Sequence, residues 1–366
     1  MIDFIPASIY YPIYINFCFF LVVLSLFHTW VLKIEAPKNI SFINAAGYFL
    51  LMAIIIYMGQ RPIYAVFGDT VNYNFFYNKY AKGSGIGKNV GDYGWHVFMK
   101  FMSGVASVHT FFTIVAIIYI YPMYRISIQL FNKFWYYSFV LFIVSFSFWT
   151  YGVNGMRNGA ALSLFLWGVS YRHNKVVMGL LFFAATLFHK TALLPIFAYL
   201  VTYFYNHPKV FLKAWLLCIP VSLATGSIWV SLFASIGFGD DDRLAGYLTT
   251  QAEAGTFAST GFRWDFLFHS AFAVFAAWYF IYKKNFNDSF YNQLVNTYLI
   301  CNGFWILVIT ANYSNRFAYL SWFMMAIVII YPFLKGHFFK NQHFMIGKVM
   351  FVYFFFTYFM YYLYSG

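Results

Sequence analysis

The chain has 366 residues, a formal net charge of +13, and only 9% charged against 62% hydrophobic residues. A soluble domain carries roughly 25% charged residues, so a water-covered globule is excluded and lipid must cover most of the surface. The positive balance is then no sign of nucleic acid; it has to be read by side of the membrane.

Apolar runs fall at 10–32, 42–60, 108–126, 134–151, 157–172, 175–189, 191–205, 212–234, 264–282, 291–311, 316–334 and 344–363. A spanning helix takes roughly 17–25 residues, so the pattern predicts an all-α polytopic membrane protein of about twelve transmembrane helices. MIDFIPASIY lacks a basic region and a small-residue cleavage site, so the first run reads as a retained helix. The runs at 157–172, 175–189 and 191–205 are short and are expected to be tilted, broken or sunk in the bundle. The stretch 94–107, GWHVFMKFMSGVAS, is too short and polar to span and predicts an interfacial or re-entrant helix. Two long connections, 61–107 and 235–263, follow even-numbered runs and so share one side of the membrane. No internal repeat or low-complexity linker divides residues 1–366, which read as a single integral membrane domain. Cys18, Cys218 and Cys301 sit in apolar runs without ligand or disulfide spacing.

With both long loops outside, the inner turns hold Lys33, Lys38, Arg125, Lys133, Arg172, Lys175, Lys209, Lys213, Lys283, Lys284, Lys335, Lys340 and Lys348. That is the distribution the positive-inside rule demands. Most acids then lie outside: Asp3, Asp69, Asp92, Asp240, Asp241, Asp242, Glu253 and Asp265. Five of the seven arginines break the pattern and stay at the outer face: Arg61, Arg157, Arg243, Arg263 and Arg316. Arginine binds phosphate in a bidentate fork better than lysine does. Their concentration points to an anion site facing the outer compartment.

Each candidate carries a plain alternative. In NGMRNGAALSLFLWG, Arg157 opens a helix between Gly155 and Gly159, either as a pyrophosphate clamp at a helix N-terminus or as a snorkelling side chain. His189 and Lys190 interrupt two apolar runs; His189 is a general base or phosphate ligand, or marks a tight turn between helices. Asp69, in Gly-Asp-Thr near Arg61, accepts a proton from a sugar hydroxyl or orders the loop. GDDDR at 239–243 has metal-like carboxylates but reads as a solvated turn, with Arg243 able to move over a substrate. Arg263 and Asp265 in GFRWDF can pair with each other, and Arg316 in ANYSNRFAY resembles Arg157 in its setting. His96 and His269 read as interface or core polar groups. No P-loop, HExxH, GxSxG or CxxC pattern appears, and no metal or other cofactor is called for.

The block GVNGMRNGAALSLFLWGVSYRHNKVVMGLLFFAATLFHKTALLPI resembles the midsection of the EpsG family of Wzy-type polysaccharide polymerases. The upstream Gly-Asp-Thr and the Asn-Arg-Phe at 315–317 resemble it as well, and Arg157 and Gly168 fit an Arg-x10-Gly spacing. Lys190 and Thr191 follow His189 where the family often has Ser. The resemblance implies a GT-C-like fold in a bacterial cytoplasmic (inner) membrane, with a site facing the periplasm or exterior. It implies an enzyme that moves a growing glycan from undecaprenyl pyrophosphate to the end of an incoming lipid-linked repeat unit. A chain-length-regulating co-polymerase is the further partner it implies. Arginines placed where leaving-group charge grows can stabilise that transition state without metal. Asp69 or His189 then takes the acceptor proton, with inversion at the anomeric carbon. Two other readings stand beside it: an acyltransferase of surface sugars, which also uses a membrane-set His, and a flippase for lipid-linked oligosaccharide. The flippase needs access from both sides, whereas the polar residues gather on one.

Overall fold

The computed structural model describes residues 2, 4–88, 90–233, 261–311 and 314–365. Every regular element among them is helical. In hydrocarbon, backbone amides and carbonyls find no water, so an apolar run closes its own hydrogen bonds as a helix. Seven described stretches are long and apolar enough to cross a membrane: Ala7–Val31, Pro37–Gly59, Val108–Ile143, Pro208–Gly226, Trp264–Lys283, Ser314–Lys335 and Gln342–Leu363. The protein is a multi-pass membrane protein.

The expected count of about twelve spanning helices is therefore met only in part among the described residues. The run at 134–151 is broken: α6 (Trp135–Ile143) and α7 (Phe148–Val153) flank a turn in which Ser145 N donates to Phe142 O and Phe148 N to Ser145 O. The next three runs form α8 (Met156–Ser170), α9 (Lys175–Phe188) and α10 (Leu193–Phe204), none longer than 15 residues.

The chain divides into two compact units, Met1–Ala192 with Phe333–Gly366, and Leu193–Pro332. In the first, α8 is buried on nearly every face and packs between α5 (Val108–Phe131) and α9. Helix α2 (Pro37–Gly59) covers α5, and α1 (Tyr10–Val31) pairs with the C-terminal helix Gln342–Ser365. The connection 61–107 holds two helices, α3 (Thr70–Ala81) and α4 (Tyr93–Val105), the latter where a short non-spanning helix was expected. Aromatic side chains of α3 and α4, among them Tyr73, Tyr77 and Trp95, form one buried cluster with Phe111 of α5 and Met156 of α8.

The second unit is built on α11 (Pro208–Phe233), α12 (Trp264–Trp278), α13 (Ser289–Leu307), α14 (Ser314–Trp322) and α15 (Met325–Lys335). A buried polar node ties four of them: Trp215 Nε1 donates to Asn302 Oδ1 at 2.7 Å, and Asn302 Nδ2 donates to Ser270 and Ser321 at 3.0 and 2.9 Å. Such interhelical bonds contribute about 0.6 kcal/mol each in a membrane bundle. Cys18, Cys218 and Cys301 are free thiols, the first and last of them buried.

Candidate functional site

Asp92 gathers a polar cluster in the first unit. Its residue stands just before α4 in a left-handed conformation, φ 52° and ψ 56°. An Asp there ordinarily caps the helix with its own carboxylate; this one makes no side-chain cap bond. The carboxylate faces inward, with only 4% of the side chain exposed, and accepts from Arg157 Nη1 at 2.8 Å. Its other oxygen accepts from the Lys190 backbone amide at 3.2 Å. His189 Nδ1 lies 3.4 Å from Asp92 Oδ2. Arg157 Nε donates to the Tyr73 hydroxyl at 3.2 Å.

Close backbone approach makes this meeting possible. A Cβ on Gly94 would sit 2.6 Å from the Leu187 carbonyl oxygen, so the first turn of α4 rests directly on the last turn of α9. That contact carries Asp92 to the His189–Lys190 junction, where α9 ends. A Cβ on Gly159 would sit 2.3 Å from the Tyr151 carbonyl oxygen, which lets the first turn of α8, and Arg157 with it, close against α7. Trp95 packs edge-on to both Tyr73 and Phe188, with ring centroids 5.5 Å apart in each case, and floors the cluster.

The electrostatics follow from the geometry. Burial pushes the Asp92 carboxyl up, but the imidazole of His189 at 3.4 Å, the charge of Arg157 and the Lys190 amide outweigh it and hold the carboxyl below the usual aspartate range. Arg157 and His189 keep 18% and 20% of their side chains exposed, so both are buttressed from behind yet reachable. Lys190 is exposed beside them. One guanidinium and one imidazole thus stand at a single buried carboxylate, whose other oxygen takes the Lys190 backbone amide, with the exposed Lys190 side chain next to His189 in the chain. That arrangement can hold an anion and move a proton.

The remaining candidates of this unit lie elsewhere. Asp69 is half-buried; its backbone amide donates to Asn154 Oδ1 at 2.9 Å, and its charge acts on Tyr73. No hydrogen bond or ion pair among the described residues joins its carboxylate to Arg157 or His189. Arg61, expected at the outer surface, is entirely buried. It donates to Met58 O at 2.5 Å, Thr70 Oγ1 at 3.0 Å and Val153 O at 3.3 Å, and lies over the Phe112 ring. The physical reason is local: the ends of α2 and α7 bring carbonyl oxygens that solvate the guanidinium inside the protein. Arg61 thereby props the turn that launches α8 and Arg157.

A family model described as the EpsG family matches residues 48–366. The chain belongs to the EpsG family. The matched stretch contains every residue of the cluster, from Tyr73 to Lys190. No curated protein and no solved structure matches this EpsG-family chain.

In the second unit of this EpsG-family protein, Arg263 forks onto Asp265, with Nε and Nη2 at 2.9 and 2.6 Å from its oxygens, and lies 3.5 Å from the centre of the Phe266 ring. That is the mutual pairing weighed from sequence. Arg316 lies half-buried in the first turn of α14. Arg243 and the GDDDR segment fall outside the described residues. His96 is buried and bonded to the Tyr80 hydroxyl at 2.8 Å, and His269 is buried in α12.

Asp92 is the residue that sequence reasoning passed over, as one more acid on the outer side. Its partners stand 65 and 98 residues away in the chain. The available signal was Gly91-Asp92-Tyr93-Gly94, an acid between two glycines at the start of a helical pattern.

Proposed function

We propose that this protein is a polysaccharide polymerase that transfers a growing glycan from a lipid pyrophosphate carrier to the free end of an incoming lipid-linked repeat unit. Family membership supports a Wzy-type polymerase in general. The observation that carries the site is the convergence of Arg157, His189 and Lys190 on Asp92.

The chemistry runs as follows. Charge on the diphosphate grows as its bond to the anomeric carbon breaks. Arg157, anchored by Asp92 and Tyr73, is preorganised to meet that charge, and exposed Lys190 adds a second cation. Such groups contribute most when they bind the transition state more tightly than the ground state. The acceptor hydroxyl attacks from the opposite face, inverting the anomeric centre, and His189 accepts its proton. The guanidinium takes the part a divalent cation plays in other diphosphate-leaving reactions. The fold is GT-C-like, with the cluster on the outer face of a bacterial cytoplasmic membrane and undecaprenyl pyrophosphate as the carrier.

The test is genetic and quantitative. In cells that depend on this chain for long polysaccharide, Arg157→Ala and His189→Ala each shorten the product to single repeat units, at membrane levels equal to wild type. Full-length polymer from both variants would refute the assignment.

A further inference from the structure

We infer that Asp92 is the positioning residue of the transfer: through Nδ1 it orients His189 so that Nε2 takes the acceptor proton. The inference rests on the polymerase reading and deepens it.

Three observations carry it. Asp92 Oδ2 lies 3.4 Å from His189 Nδ1, which leaves Nε2 as the ring nitrogen available to a substrate. The carboxylate is fixed from two other sides, by the Lys190 amide at 3.2 Å and by Arg157 at 2.8 Å, and so cannot swing away from the ring. Its backbone holds a left-handed conformation, which disfavours L-residues other than Gly, Asn and Asp, and it forgoes the capping bond open to it. A residue that gives up its local capping partner is held there by its long-range ones.

The proton balance is complete. The acceptor oxygen bonds to the anomeric carbon; the bond from that carbon to the pyrophosphate oxygen breaks, and its electron pair leaves with the diphosphate. The hydroxyl proton passes to His189 Nε2. The resulting imidazolium stands with Nδ1 3.4 Å from Asp92 Oδ2. The charged and titratable groups of the cluster are Asp92 ahead of α4, which faces the ring, Arg157 on α8 bonded to Asp92, Tyr73 on α3 bonded to Arg157, and Lys190 next in the chain; His96 on α4 feels both Arg157 and Asp92. Asp69 acts on Tyr73 and makes no hydrogen bond or ion pair with the imidazole among the described residues.

A double-mutant cycle on purified full-length protein, with synthetic lipid-linked repeat units, separates positioning from mere scaffolding. Asp92→Asn keeps an oxygen for Arg157 or the Lys190 amide and removes the charge. It is expected to lower kcat by ~100-fold, the scale of a general base, with the donor KM nearly unchanged. In the His189→Ala background the same change is expected to cost at least ~10-fold less than in the wild type, because the share of its effect that passes through the ring is gone and only the weakened hold on Arg157 remains. Additive losses in that background overturn the inference, as does non-additivity with Arg157→Ala alone. Should D92N fail to accumulate, Asp92→Glu serves: it keeps the carboxylate, displaces it by one methylene, and must show the same non-additivity with H189A. Wild-type protein that builds no chain sinks the polymerase reading; additivity with an active wild type sinks only the role of Asp92.

Discussion

Arg157→Lys keeps the charge and changes only its geometry, which makes it the most informative single substitution. Arg157 spends two different nitrogens, Nε on the Tyr73 hydroxyl at 3.2 Å and Nη1 on Asp92 at 2.8 Å. A lysine has one nitrogen on a flexible stem and cannot hold both anchors while also facing a diphosphate in a fork. Loss of one charge-assisted hydrogen bond costs about 1.5–3 kcal/mol, which is roughly 10- to 150-fold in kcat/KM. The assay is chain extension by purified protein with donor and acceptor varied separately, at matched protein levels. The predicted loss falls mainly on kcat, since the charge grows during bond cleavage. An R157K enzyme that matches wild type in both parameters would refute the bidentate argument and leave Arg157 as a point charge.

Other outcomes follow from the packing and the charges. Gly94→Ala places a methyl 2.6 Å from a backbone carbonyl, which cannot rotate away, so α4 must lift from α9 and draw Asp92 off the His189–Lys190 junction; chain extension is expected to fall by at least ~10-fold, on the scale of a small misplacement of catalytic groups, with membrane insertion intact by fractionation. Arg61→Leu strips the Met58 carbonyl of its side-chain donor, while Val153 O keeps the Thr70 hydroxyl. The cost is about 1–3 kcal/mol per stranded group, read as a lower Tm in detergent, and protein that remains folded should retain its donor KM. Because the folded-state pKa of Asp92 lies below its unfolded value, its stabilising contribution is whole above the ordinary aspartate value of about 3.9 and is lost as the pH falls from there through the lowered folded value. The Tm gap between wild type and D92N is therefore expected to be constant near neutrality and to close at pH values below that point; a gap that widens on acidification would contradict the ion-pair account.

The helices were legible because apolar composition decides them: runs at 10–32, 42–60 and 344–363 became Tyr10–Val31, Pro37–Gly59 and Gln342–Ser365. The number of long helices was not, because a continuous apolar run does not announce a turn such as the one at Ser145–Ser147, where local backbone bonds substitute for helical ones. Arg157 and His189 could be singled out because a charge or an imidazole at the edge of an apolar run needs a reason. The reason itself, Asp92, was hidden, since nothing local says that two segments so distant in sequence close on one carboxylate. Arg61 shows the converse. An arginine beside an apolar run looks surface-bound until the carbonyls that solvate it inside the protein are known.

Incubating the purified protein with synthetic pyrophosphate-linked repeat units and resolving the products by size tests the central claim directly. The wild type is expected to give a ladder of whole repeat units with release of carrier pyrophosphate, and the Arg157→Ala and His189→Ala proteins to give none. A wild-type protein that leaves the units unjoined, or variants that build the same ladder, would contradict it.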